Sequence, residues 1–209
     1  MKYILIISCL LFTSVGWSKD VSMDDLIERE GLYYEKFKGD PFTGKVTGQK
    51  QGKISKGKKE GEWIWYYENG QLSSTSNYKD GKEDGKWLWY HRNGQLQTKV
   101  NYKDGKEDGE DLHYYESGQL QNKSNYIDGK KEGEVLTYYE NGQLFSKKNH
   151  KYGKKEGEFL LYYENGQLWK KGNYKDDKQN GEWLGYRENG QLLENKNYKD
   201  GKLIKTITP

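Results

Sequence analysis

Gly61-Glu62-Trp63-Ile64-Trp65-Tyr66-Tyr67-Glu68-Asn69-Gly70-Gln71-Leu72, followed downstream by Lys79-Asp80-Gly81-Lys82, decides the fold. Trp63 to Tyr67 is a run of β-formers. Asn69-Gly70 predicts a two-residue hairpin turn, because a type I′ turn needs positive φ at both central residues. Leu72 to Tyr78 returns as a second strand, and Asp80-Gly81 is a second turn of the same chemistry. The stretch recurs with a period of 24. Glycines stand at 61, 85, 109, 133, 157 and 181, and again at 70, 94, 118, 142, 166 and 190, each of the latter before Gln-Leu. Six in-phase copies predict an all-β protein: an elongated single-layer antiparallel meander of repeated β-hairpins. Twelve strands spaced about 4.8 Å apart make a ribbon about 55–60 Å long.

Treating both turns as two-residue loops assigns every side chain to a face. One face carries Ile64 and Tyr66, which keep their kind in all copies. The other carries Trp63, Trp65, Tyr67, Leu72 and Tyr78. Its first two positions drift, to Asp111 and His113, then Val135 and Thr137, then Phe159 and Leu161. Sameness points to packing between neighbouring copies, and drift at exposed aromatic positions points to a binding preference. The candidate binding face is therefore Trp63, Trp65, Tyr67, Trp87, Trp89, Tyr115, Tyr139, Phe159, Tyr163 and Trp183. The competing role for such rings is cross-strand support, about 0.2–1 kcal/mol for each good pair.

Composition agrees. Of 209 residues, 32% are charged and only 32% hydrophobic, which argues against one large apolar core. Aromatics at 15% argue against disorder. The net charge of +3 comes from interleaved signs, so a nucleic-acid footprint is not expected, and an anionic membrane surface is weakly attracted. His91, His113 and His150 fall at different repeat positions and read as substitutions within a scaffold. With no metal-ligand spacing, phosphate loop or catalytic constellation, neither cofactor, metal nor enzymatic activity is expected. The expected partner is a protein, with a cell-wall glycan as the alternative, since aromatic rings stack on sugar faces.

Residues 1–18 read as a secretory signal peptide: Lys2, an apolar stretch from Tyr3 to Val15, and small residues at Gly16 and Ser18. Export to a periplasm, cell surface or beyond is the expectation. Cys9, the only cysteine, lies inside that leader, where lipidation is the less favoured alternative. Residues 19–60 read as a degenerate capping segment, with Asp24 to Glu30 a short helix or strand lead-in. The six repeats occupy 61–204 and a tail 205–209, with Pro209 and nearby lysines discouraging edge pairing.

The unit Gly-Glu-Trp-x-x-Tyr-Tyr-Glu-Asn-Gly-Gln-Leu with Tyr-Lys-Asp-Gly-Lys resembles the MORN repeat variant. Asp25-Leu26-Ile27, Gly31-Leu32-Tyr33-Tyr34 and Pro41-Phe42-Thr43-Gly44 extend the resemblance to the YwqK-type antitoxin family. The resemblance covers about residues 24–202. It implies a hairpin meander used for protein–protein contact and, in some systems, immunity against a toxin. Export departs from a cytosolic antitoxin role.

Overall fold

The computed structural model describes residues 20–207, and the expected leader at 1–18 lies outside them. The chain opens with β1 (Val21–Ser22), a single 3-10 turn at Met23–Asp25, and the hairpin β2 (Leu26–Arg29) and β3 (Leu32–Glu35). Ser22 Oγ caps the 3-10 turn by accepting from Asp24 N, and Asp25 answers by accepting from Ser22 N. Then follow β4 (Gly44–Thr47), β5 (Lys50–Ser55), β6 (Lys58–Tyr66) and β7 (Leu72–Lys79). From β4 onward each strand pairs antiparallel with the one before it, through to a last strand at Lys202–Ile207. That last strand runs through the boundary expected at 204. β1 lies parallel to β4 at the opposite edge. The architecture is the elongated all-β meander that the period requires.

The two turns of each copy differ. Asp80 and Gly81 have φ of 51° and 82°, the type I′ geometry expected. At Asn69-Gly70 only Gly70 has positive φ, 83°. Tyr67 N donates to Gln71 O and Gly70 N to Tyr67 O, so the loop has three residues, Glu68 to Gly70. Asn69 Oδ1 accepts from Gln71 N, an Asx bond that holds Asn69 outside the left-handed region. The pairing beyond stays as expected, with Trp63 opposite Ser76 and Trp65 opposite Ser74, but Tyr66 meets Leu72. Leu72 therefore joins the Ile64 face, and Tyr67 leaves the strand.

The glycines at 61, 85 and their copies serve bulges rather than turns. Ser74 pairs with Trp89 and Thr75 with Leu88, two residues along from simple extension of the Asp80-Gly81 turn. Gly85, at φ 105°, absorbs the difference. Asn77 Nδ2 reaches over the bulge to Lys86 O, and Trp87 Nε1 donates to Asn77 O. A Cβ on Gly85 would sit 3.2 Å from Asn77 Cβ. Gly85→Ala is expected to cost about 1–2 kcal/mol, the strain of a left-handed L-residue. A urea midpoint that falls while the m-value holds checks this.

Neighbouring copies are joined in a recurring way, with one departure at the second copy, where the His91 ring meets Tyr114 O at 3.0 Å in place of a tyrosine hydroxyl. The tip amide of every Asp-Gly turn reaches the preceding hairpin, as Gly81 N does to Lys59 O and Gly105 N to Glu83 O. A carboxylate holds the same tip from the side, Glu60 to Asp80 N and Asp84 to Asp104 N. At the other end Tyr67, Tyr115, Tyr139 and Tyr163 donate their hydroxyls to Tyr90 O, Tyr138 O, Tyr162 O and Tyr186 O, at 2.6–2.9 Å.

Candidate binding site

Cross-strand ion pairs lie mainly on one face of the sheet, the inner face pairing its charges only around Glu194 of the sixth copy, with Lys170 and Lys196, and around Asp111 with His113. On the outer face, that of Ile64, lysines and glutamates pair across strands: Lys99 and Lys123 reach Glu110 at 2.9 and 3.6 Å, and Lys147 pairs with Glu134. That face is solvated and self-neutralising. The inner face, that of Trp63, carries the drifting positions.

Burial on the inner face runs against the expectation of an exposed aromatic row. Trp63 is 0%, Trp183 2% and Phe159 8% exposed. Their rings lie over the neighbouring strand where that strand has no side chain: a Cβ on Gly52 or Gly172 would come within 2.3 Å of Trp63 or Trp183. Phe159 packs between Tyr174 and Trp183, with ring centroids 5.5 and 5.3 Å away. Trp63 also belongs to the core that the N-terminal segment builds with Val21, Leu26, Phe42, Val46 and Ile54, and Trp65 packs against it. The inner face of the first copy is thus covered by the chain itself. Trp87 is held between Tyr78 and Tyr102, each 5.2 Å away. Tyr67 and Tyr163 are engaged as hydroxyl latches, with Tyr163 also stacked on Trp169 at 5.4 Å.

Trp89 and two further latch tyrosines, Tyr115 and Tyr139, border the middle of the array. There the large rings at the Trp63 and Trp65 positions are missing, replaced by Asp111 and His113 and then by Val135 and Thr137. The space left is a concavity of about 510 Å³ walled by Trp89, Tyr102 and Tyr126, and another of about 490 Å³ walled by Tyr115, Tyr139 and Phe145. A third, of about 270 Å³, lies toward His91. His113 lines all three, and Gln97, Thr98, Gln121 and Asn122 supply amides and a hydroxyl. They adjoin one another around His113 and make a groove centred on the third copy, with walls from the second and fourth.

The floor of this groove is a polar chain. Asp111 is 5% exposed where other copies carry Trp, Val or Phe. Ser124 Oγ donates to its Oδ2 at 2.9 Å, and His113 Nε2 lies 2.9 Å from its Oδ1. Thr98 Oγ1 is 3.2 Å from His113 Nδ1. The order hydroxyl, imidazole, carboxylate is that of a relay, but the ring here compensates a carboxylate in an apolar position, where an unpaired charge is costly. The hydrogen bond to Asp111 lifts the His113 pKa above 6.5, against the pull of burial. Burial, then Asp111, raises Glu107. Burial, then Glu107 and Asp111, pushes the Tyr126 hydroxyl up to about 12. At this end of the groove Glu107 and Asp111 stand with Lys131, whose charge pulls Glu107 the other way. Among the described residues no cluster of three His, Cys, Asp or Glu could hold a metal.

Asp111, His113, Thr98, Asn122 and Phe145 line the site but lie outside the aromatic row that the repeat pattern points to. The usable signal was the simultaneous loss of both rings in the third copy together with Ser124 opposite Asp111.

Six segments match the family model described as MORN repeat variant: residues 59–80, 83–104, 107–128, 131–152, 155–176 and 179–200. Comparison with curated proteins found no match.

Proposed function

Because the chain belongs to the MORN repeat variant family and is a hairpin-repeat scaffold, we propose that it holds a protein partner in the inner-face groove of its third copy. One observation carries this reading. The inner face is packed shut by rings in copies one, five and six, and it opens only where Asp111, His113, Val135 and Thr137 replace them. A groove with aromatic walls and convergent amides suits a partner's inserted side chains. The leader pattern supports a meeting outside the cytosol. Toxin neutralisation is one use of such capture, supported by the resemblance to the YwqK-type family.

The test is site-specific photo-crosslinking in cell-envelope extract. Benzoylphenylalanine at Gln97, which is exposed and borders two of the concavities, is expected to capture a partner. The same group at Lys123 on the outer face is expected to capture none. Trp89→Ala is expected to reduce capture at Gln97 about tenfold or more, as for an anchor residue. Capture from Lys123 alone would reverse the assignment of faces. A second reading, glycan binding, is favoured by Trp169, whose ring is 41% exposed and stacked on Tyr163. Co-sedimentation with peptidoglycan that Trp169→Ala abolishes would establish it instead.

A further inference from the structure

Beside the groove, the fourth and fifth copies bring three lysines and a histidine onto the same inner face. His150 stands opposite Gly133 on one side and Lys155 on the other. Lys148 lies two residues before His150, hence on the same face, between Val135 and Phe159. Lys131 sits two residues before Gly133, on the flanking strand segment. All four side chains are half-buried.

In the other copies the Lys148 position is filled by Ser76, Val100, Ser124 and Gly172, small residues suited to a slot between rings. The sixth copy also has a lysine there, Lys196, but Glu194 neutralises it at 2.5 Å. Among the described residues no carboxylate lies within ion-pair distance of Lys131, Lys148 or Lys155. Two of them rest against rings instead, with Lys131 Nζ 5.7 Å from the Tyr126 centroid and Lys155 Nζ 5.1 Å from that of Tyr174. His150 Nδ1 is shielded from solvent and meets no hydrogen-bond partner. Burial lowers the Lys148 pKa, and Lys155 and Lys131 lower it further. His150 is lowered by burial and then by Lys131 and Lys155, with Asp177 opposing weakly. Three cations are therefore gathered in one recess with no carboxylate paired to them, Glu107 acting on Lys131 and Asp177 on His150 only from beyond ion-pair distance, while on the outer face Lys99, Lys123 and Lys147 are paired off.

We propose that Lys131, Lys148 and Lys155, around His150, form an anion-recognition site for the carboxylates of an acidic peptide segment. The proposal rests on the groove reading above and supplies the chemistry of the partner: an acidic stretch adjoining the part that enters the third copy. A peptide suits the site better than an anionic bilayer. Glu83, Glu107 and Asp111 occupy the same face one to three copies away, at about 10 Å per copy. A flat anionic surface would press on those carboxylates, whereas a narrow segment addresses the lysines alone.

The experiment is fluorescence anisotropy of a fluorescein-labelled oligoglutamate against the full chain, beside an oligolysine of equal length and phosphatidylcholine vesicles containing phosphatidylserine. Oligoglutamate is expected to bind, more weakly as salt rises, and to raise the His150 titration followed by NMR. Lys148→Met is expected to weaken binding about tenfold, Lys148→Arg to retain it, and Lys123→Met on the outer face to leave it unchanged. If Lys148→Met fails to fold, Lys155→Gln with Lys131→Gln tests the same site. Binding that ignores these substitutions, oligolysine binding as tightly, or capture by the vesicles without the peptide would overturn the proposal. Crosslinking from Gln97 that persists through such a failure would leave the third-copy groove standing. Loss of that crosslinking with oligoglutamate binding intact would do the reverse.

Discussion

Trp63→Ala is expected to destabilise the N-terminal end of the array by about 3–5 kcal/mol, the range for truncating a fully buried tryptophan. The indole is 0% exposed, donates from Nε1 to Lys53 O at 3.2 Å, and lies flat over Gly52. It also joins β5 to the N-terminal segment through Ile54, Val46 and Phe42. Lys59 Nζ, 4.9 Å from the rings of both Trp63 and Tyr78, loses one of its aromatic faces. Because each copy touches only its neighbours, the loss stays local and does not spread evenly along the chain. Urea unfolding followed by fluorescence should split into two transitions, an early one from the cap and first copy and a later one from copies three to six. Gly52→Val attacks the same contact from the other side and should reproduce the early transition. One transition with an unmoved midpoint in both variants would show that the cap does not depend on this ring.

His113→Leu is expected to cost about 2–3 kcal/mol at pH 6, because it strips a buried carboxylate of one of its two partners. Asp111→Val with His113→Leu should recover most of that, since the pair then resembles Val135 with Thr137 or Phe159 with Leu161 at the same positions. The cycle should give a coupling of about 2 kcal/mol. The pH dependence has a fixed sign. His113 has a folded pKa raised above 6.5, so its contribution is complete below 6.5 and disappears as pH rises through the folded value. His150 is lowered, so its contribution is present above 6.5 and disappears as pH falls through the folded value. The His113→Leu penalty should therefore shrink at pH 8. A penalty flat from pH 5 to 8 would show that the imidazolium is not what Asp111 needs. The double variant should keep its stability and lose crosslinking from Gln97, which separates the groove's role in folding from its role in capture.

The meander was legible because its signals are local and repeated. Asp80-Gly81 forms the turn that its chemistry demands, and Trp63 meets Ser76 as the alternation of side chains requires. The loop at Asn69-Gly70 departs from the type I′ expectation because an Asn side chain can bind its own backbone, and Asn69 uses that option in place of positive φ. The bulge at Gly85 was invisible because a glycine wanted for a left-handed residue inside a strand looks the same as one wanted in a turn. Burial was the larger gap. Trp63 and Trp183 seemed destined for water in a one-layer sheet, yet Gly52 and Gly172 on the adjacent strands make room for them. That pairing of a large ring with an absent side chain is written in the sequence, eleven residues apart, but it reads only once the register is known. The groove followed the same logic in reverse: Asp111 and His113 were recognised as departures from the pattern, and what they vacate became apparent only beside Trp89 and Tyr139.

The recurring junctions between copies have a consequence for how such a chain can change. Each hairpin hands the next one a turn-tip amide and, in four of five junctions, a tyrosine hydroxyl, with His91 standing in at the other, so a junction registers little of which two hairpins meet there. Duplicating or deleting one whole unit in the gene would alter reach by about 10 Å and leave the new seam with the same kind of hydrogen bonds. Length in this architecture is a ruler that can be extended notch by notch, independently of what any single notch is shaped to hold.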